Sequence, residues 1–335
     1  MQTLDAALDR AAERTAFSGV VRVDREGTME LVKAYGLADR AHGIPNTVDT
    51  RFMLASVAKG FTALAVMSLV ADGTLQLSTT ARSLLGRDLP LIGGDVTVEH
   101  LLAHRSGIGD YLDEDELDNI NAYTLRVPTH RLDATERYLE VLDGFPTVSR
   151  PDERFSYNNA GYVVLAIMAE RASGVGYHEL VRRRVTEPAG LADTGFVRTD
   201  ELPGDHAFAY LHADGLRSNA LHLPVLGTGD GGITSTAADL ATFWRALFDG
   251  RIVPTALVDQ MTRPRSDWPE EQRRYGLGFH LHHTSDAIWL EGYDAGVSTC
   301  TTHDPASRIT HSVIANWSDG AWPMLSVLDE YLGTV

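Results

Sequence analysis

Apolar residues recur at helical spacing over residues 3 to 14, where Leu4, Leu8, Ala11 and Ala12 share one face of an amphipathic helix. A hairpin follows, with Val20, Val21 and Val23 on one arm, Met29, Leu31 and Val32 on the other, and Asp24-Arg25-Glu26-Gly27 as the turn. From Phe61 to Val70 the chain is apolar nearly all round, which marks a helix buried inside the protein. Asp72-Gly73 is its expected C-terminal cap. Residues 97 to about 224 carry helical patterns broken by Gly and Pro, at 98 to 103, 132 to 142 and 161 to 172. The acidic stretch from Asp110 to Asp118 reads either as a solvated loop or as a rim over a cleft. After Gly227-Thr228-Gly229-Asp230-Gly231-Gly232 the pattern predicts a helix at 237 to 248, strands at 275–283, 286–291, 297–303 and 309–316, and a helix at 324 to 332. Strands near both ends with helices between them predict an α/β (α+β) protein. We expect one α/β unit built from 1–85 and 225–335 and a mostly helical insert at 86–224.

Composition narrows the function classes. With 335 residues, 44% of them apolar and only 22% charged, the chain can bury a sizeable core. A net charge of −17 repels phosphate backbones and anionic membranes, so neither nucleic acid nor membrane is an expected partner. Cys300 is the only cysteine, which excludes an intrachain disulfide and a zinc ribbon. The first twenty residues interleave Asp, Glu and Arg without a signal-peptide core, and no later stretch has the length of a membrane span. A cytoplasmic location is the expectation. The basic residues are lopsided: only Lys33 and Lys59 are lysines, against 27 arginines. A lysine kept in such a chain suggests a task that arginine cannot perform, and losing a proton is the obvious one.

Ser56-Val57-Ala58-Lys59 stands directly before the buried helix. One helical turn separates the two polar residues, so the Ser56 hydroxyl and the Lys59 amine can face the same point. A backbone N–H at a helix start is free to donate to a developing oxyanion. A buried lysine loses its proton more easily, which suits it to activate the serine. Phe155-Ser156-Tyr157-Asn158-Asn159-Ala160-Gly161-Tyr162 is a second candidate, with Tyr157 and Asn159 two apart before another apolar helix. On this pattern alone a capping Ser and a surface Lys remain the alternative for the first pair, and a helix-start aromatic for Tyr157.

Thr50-Arg51-Phe52 through Lys59, Asp72-Gly73-Thr74-Leu75, and Val98 through Gly107 resemble the serine β-lactamase and penicillin-binding-protein superfamily. The most similar branch is that of class C β-lactamases, D-alanyl-D-alanine carboxypeptidases and esterases. Phe155 to Tyr162 looks like its Tyr-x-Asn motif, and Gly231 to Leu240 like its Gly-Gly-x-x-Ser-Thr segment. The resemblance spans about residues 17 to 317 and implies an antiparallel sheet flanked by helices, a mostly helical domain, and an active site between them. It implies Ser56 as acylated nucleophile, Lys59 and Tyr157 as hydrogen-bonded bases, and Asn159 as a donor to the substrate. A phenol beside an ammonium is expected to have a lowered pKa. Ser156-Tyr157-Asn158 also fits the Ser-x-Asn form of the motif, although Phe155 before it and Gly161-Tyr162 after it favour Tyr157 and Asn159.

The third family motif is where this chain departs. Relatives carry Lys-Thr-Gly, or His or Trp followed by x-Gly, on a strand lining the cleft. Here the candidate is Glu291-Gly292-Tyr293-Asp294-Ala295-Gly296-Val297-Ser298, in which Glu291 or Tyr293 takes the first place and Gly296 anchors the far end. Glu291 and Asp294 would repel a substrate carboxylate, and Arg105 or another arginine would have to replace the missing cation. His280 and His282, at strand spacing beside His283, face one side as candidate metal ligands or as part of a half-exposed strand. Cys300 is expected to be a packed strand residue, and His104 and Arg105 to order a loop. The chain therefore reads as a serine hydrolase without metal or cofactor, acting on a small-molecule ester, amide or β-lactam, most simply an ester. A β-lactamase or D-alanyl-D-alanine carboxypeptidase is the alternative within the class, and an idle binding protein the alternative outside it.

Overall fold

The computed structural model describes residues 3–114 and 117–333. Thr3 accepts the N–H of Ala6 on its hydroxyl and starts α1 (Leu4–Thr15), which buries Leu8, Ala11 and Ala12 as their spacing predicts. The other long helices are α2 (Ala58–Ala71), α3 (Asn159–Ser173), α4 (Ala237–Phe248) and α5 (Ala321–Leu332). The hairpin forms from β1 (Gly19–Arg25) and β2 (Thr28–Tyr35). Glu26 and Gly27 between them have φ of 52° and 77°, the left-handed pair whose twist suits a two-residue hairpin turn.

Six further strands complete the sheet: β3 (Ser266–Trp268), β4 (Arg273–Tyr275), β5 (His280–His282), β6 (Ile288–Asp294), β7 (Val297–Asp304) and β8 (Ile309–Ala315). They run antiparallel in the order β2-β1-β8-β7-β6-β5-β4-β3, so the two ends of the chain meet inside one sheet. Val20 lies opposite Ile314 and Val21 opposite Val313. Successive side chains of a strand point to opposite faces, and each face finds its own cover. Val21, Val23 and Val313 pack with Leu8 of α1 and Met324 and Leu328 of α5. Val20 and Ile314 join the larger core with Phe61 and Leu64 of α2, Val164 of α3 and Trp244 of α4.

In α2, twelve of the fourteen residues are buried, in keeping with its apolar pattern. Each large side chain hidden this way contributes about 1.5–3 kcal/mol, so this helix is a rigid base for whatever stands at its start. A small sheet holds that start in place: Phe52–Met53 pairs with Ile233–Ser235, which pairs in turn with Gly195–Phe196.

The predicted strand at 275–283 is two strands, β4 and β5. A Cβ on Gly276 would lie 2.1 Å from the Met261 carbonyl oxygen, and Gly278 has φ +93°, so the chain bends between them. The predicted helix at 132–142 is a 3-10 turn, Thr135–Tyr138, running into one α turn, Leu139–Leu142. Neither has a side-chain cap. The last helix starts at Ala321, earlier than predicted, and takes Pro323 into its first turn, where proline is tolerated.

Candidate active site

Ser56 lies in a 3-10 turn, Ala55–Val57, that leads into α2. Ala55 is held at φ +47°, a left-handed conformation that costs an alanine on the order of 1–2 kcal/mol. Lys59 follows one turn later and is only 1% exposed. Its Nζ donates to Ser56 Oγ at 2.7 Å, to Asn159 Oδ1 at 2.7 Å and to the Asp230 carbonyl at 3.0 Å. Three donors thus meet three acceptors. Burial lowers the Lys59 pKa and outweighs the opposing pull of Asp230, Glu114, Asp110 and Asp294.

The start of α3 supplies the opposite wall. Asn158 caps that helix by accepting the N–H of Gly161 at 2.7 Å, and its amide donates to the Ile108 carbonyl. Asp110 accepts the N–H groups of Asn159 and Ala160, which places a carboxylate at the positive end of the helix. Burial nevertheless pushes Asp110 up to about 7. Asn158 is thereby committed to the helix cap, and Asn159 is the residue that reaches Lys59. Both N–H bonds of the Asn159 amide are already used, by the Leu112 carbonyl at 2.8 Å and Glu114 Oε1 at 3.0 Å.

Tyr157 shares a cavity wall with Ser56, and the Lys59 Nζ lies 4.9 Å from its ring centre. The expected lowering of its pKa is not found. Burial pushes Tyr157 well above its ordinary value, with Glu114 and Tyr275 adding to the rise, so it stays a phenol. His104 packs against it, tilted by 32° with ring centres 4.4 Å apart, and His104 Nδ1 accepts the Asn158 N–H at 3.0 Å, ordering the turn before α3. Arg105 ties the same region to Asp152 and Ser266.

On β6, Glu291 and Tyr293 face the cleft while Gly292 packs against the turn before Ser56; a Cβ there would lie 2.0 Å from the Leu54 carbonyl oxygen. Two cavities meet at Ser56. One, of about 50 Å³, lies on the Asn159 side and includes Tyr111, Glu114, Asp230, Tyr293 and Asp294 in its wall. The other, of about 60 Å³, lies on the Tyr157 side with Trp268, Arg273, His280 and Glu291. Glu114 and Tyr293 stand in both. Burial pushes Asp294 up to about 7, and Glu114 and Asp230 add to the rise.

Gly296 lines neither cavity. It makes the β6–β7 turn at φ +78°, and its N–H donates to Ser318 Oγ. The acidic stretch divides: Tyr111, Leu112 and Glu114 form cavity wall, whereas Asp115 and Glu116 lie outside the described residues. His282 does not join His280 in a ligand set; its Nδ1 accepts the Ser285 N–H in the β5–β6 turn. Among the described residues no group of three or more His, Cys, Asp and Glu side chains is arranged to hold a metal ion, and no helix is long and apolar enough to cross a membrane. Cys300 is buried on β7 and burial raises its pKa. Sequence reasoning missed Asp230, Tyr111 and Arg273. The Tyr111 phenol donates to the Asp230 carboxylate. Asp230 had a signal in its run of glycines, since a Cβ on Gly229 would lie 2.0 Å from the Tyr162 carbonyl oxygen of α3.

The sequence profile of the beta-lactamase family matches residues 4–330. The chain belongs to this family. It is 36% identical over 312 residues to esterase EstB of Burkholderia gladioli, an overlap of 82% of this chain and 77% of that protein. It is 27% identical over 310 residues to penicillin-binding protein 4* of Bacillus subtilis (strain 168), covering 88% of this chain but 66% of the relative, just under two thirds of its length. The solved penicillin binding protein from Bacillus halodurans superposes with a TM-score of 0.90 at 31% identity, over 97% of this chain and 99% of that one. Similar proteins also include a D-aminopeptidase of Cereibacter sphaeroides, 24% identical over 97% of this chain and 63% of that protein, and the solved D-amino acid amidase of Ochrobactrum anthropi SV3, with a TM-score of 0.80 at 25% identity over 99% of this chain and 97% of that one.

Proposed function

We propose that the protein is a serine hydrolase that forms an acyl-enzyme on Ser56 and acts on neutral carboxylic esters. The observation that carries the reading is the set of acceptors around Lys59. Two of its N–H bonds go to Asn159 and Asp230, so after loss of one proton the lone pair is left facing Ser56 Oγ. Lys59 then takes the serine proton as Ser56 Oγ attacks the ester carbonyl. Backbone N–H groups at Ser56 and on the β6 edge hold the oxyanion. Collapse of the adduct breaks the bond to the leaving oxygen, which takes the Tyr157 proton, and Lys59 returns a proton to Tyr157. Water repeats the sequence to release the acid. The cleft draws Ser56 and Tyr293 from the proposed unit 1–85 with 225–335, and Glu114, Tyr157 and Asn159 from 86–224.

A neutral ester is favoured because Glu291 faces the cleft where a cation would read a carboxylate. β-Lactams and peptides ending in D-alanine carry such a carboxylate. A second reading, an amide or ester bearing an ammonium group, is favoured by Glu114, Asp230 and Asp294 in the Asn159-side wall. Mass spectrometry after incubation with p-nitrophenyl acetate, nitrocefin, a D-alanyl-D-alanine peptide and an amino-acid p-nitroanilide tests the choice. An acetyl group on the peptide carrying Ser56 is expected, with kcat/KM highest for the neutral ester. Ser56→Ala should lose about a thousandfold or more in rate. A Ser56→Ala variant as fast as the parent ends the assignment, and faster turnover of nitrocefin moves it to β-lactam hydrolysis.

A further inference from the structure

The Tyr157-side cavity holds a cation for which the proposed reaction has no use. Arg273 of β4 stands in its wall, its guanidinium 5.4 Å from the Trp289 ring centre and 5.9 Å from that of Trp268. Its Nη1 pairs with Glu291 Oε2 at 3.2 Å, the two side chains being 24% and 26% exposed. Glu271 lies farther off, 3.9 Å from Nε. His280 lies in the same wall, 6% exposed, with its Nδ1 unpartnered. Burial and the charges of Arg273 and Lys59 keep it uncharged, so it brings hydrogen-bonding capacity but no second cation.

Chemistry says which part of a substrate enters here. The leaving atom must reach the Tyr157 hydroxyl, and Tyr157 lines this cavity and not the other. The departing group therefore extends over Arg273 and Glu291. We propose that Glu291 is a specificity residue that masks Arg273 and so denies the leaving-group cavity to carboxylates. A neutral group meets a charge-balanced pair there, whereas a carboxylate meets Glu291 and Glu114 at a guanidinium already engaged. The two tryptophan rings keep that guanidinium in place. With Glu291 uncharged, its fork is a preorganised site for a carboxylate on a leaving group.

The proposal rests on Ser56 as the acylated residue, and the test separates the two. Glu291→Gln, Arg273→Gln and the double variant are assayed with 4-acetoxybenzoate and its methyl ester, whose leaving groups carry a carboxylate or a neutral ester at the same position. In Glu291→Gln the ratio of kcat/KM for the carboxylate to that for the methyl ester is expected to rise about ten- to a hundredfold. The rise should vanish in the double variant. An unchanged ratio overturns the proposal, and so does a rise that persists without Arg273, because removal of a negative charge alone would then explain it. Calorimetry with 4-hydroxybenzoate reads the same site without turnover. Tighter binding to Glu291→Gln, and not to the double variant, supports the mask even if neither ester is hydrolysed, in which case the Ser56 reading fails alone. Absence of tightening overturns the mask.

Discussion

Lys33 and Lys59 meet opposite surroundings. Lys33 on β2 pairs with Asp5 at 2.8 Å and Asp9 at 2.5 Å of α1. Burial pulls its pKa down, but the bonds to those carboxylates carry it above its ordinary value. An arginine could hold that charge. Lys59 is lowered by burial, and in the proposed reaction it gives up a proton and takes one back. Lys59→Arg should therefore fold, with the circular dichroism of the parent, yet lose about a thousandfold or more in acylation, because a guanidinium keeps its proton at working pH. The pH profile follows from the direction of the shift. Only uncharged Lys59 can accept the serine proton, so kcat/KM of the parent should climb with pH and level off below the ordinary lysine value of 10.5. Tyr157, raised by burial, remains a proton donor over that range. Near-parent activity in Lys59→Arg would show that charge alone suffices there.

Strand β6 carries the next scale, because its distance from the Ser56 turn sets the width of the cleft. Gly292 is where the two backbones touch, and a Cβ at 2.0 Å from the Leu54 carbonyl oxygen cannot be relieved by a side-chain rotation. Gly292→Ala should push β6 off the turn, with a loss of about 1–3 kcal/mol in stability from overpacking and about a hundredfold in rate from misplacement of the oxyanion donors. Thermal unfolding and ester kinetics on one preparation check both, and parent kinetics would mean the strand does not set the site. This contact also explains how far the sequence could be read. The chain marks α2 and α3 by continuous apolar runs and places Ser56, Lys59, Tyr157 and Asn159 at their starts. Those are local signals, carried within one helical turn. The orientation of β6 is not local: a strand period of two puts Glu291 and Tyr293 on one face, and the contact of Gly292 with Leu54 sets that face toward the cleft. Arg273 reaches Glu291 from a strand two places away in the sheet, which no spacing along the chain encodes. Likewise Tyr111, Leu112 and Glu114 became cavity wall through the bonds of Asp110, Leu112 and Glu114 to the start of α3, not through their own composition.

Over the whole molecule, the charge of −17 and the local charges of the cleft have the same sign. Glu114, Asp230, Glu291 and Asp294 line the two cavities, and among the described residues Arg273 is the only lysine or arginine in either wall, with Lys59 buried behind Ser56. A substrate anion is thus repelled twice, first during approach by the overall field and then within the cleft. These two effects differ in their response to salt. Screening lengths shrink from about 30 Å at 0.01 M to about 8 Å at 0.15 M, which removes the long-range field but leaves groups in direct contact with the substrate almost unscreened. Raising ionic strength over that range should increase kcat/KM for anionic nitrocefin several-fold while leaving neutral p-nitrophenyl acetate nearly constant. The neutral ester should nevertheless remain the better substrate at the higher salt, because Glu291 still faces the leaving group. Steady-state rates for both substrates across a salt series measure the two effects separately. A nitrocefin rate that falls with added salt would mean that the cleft attracts anions despite the charge around it, and preference for neutral esters would then have to be abandoned.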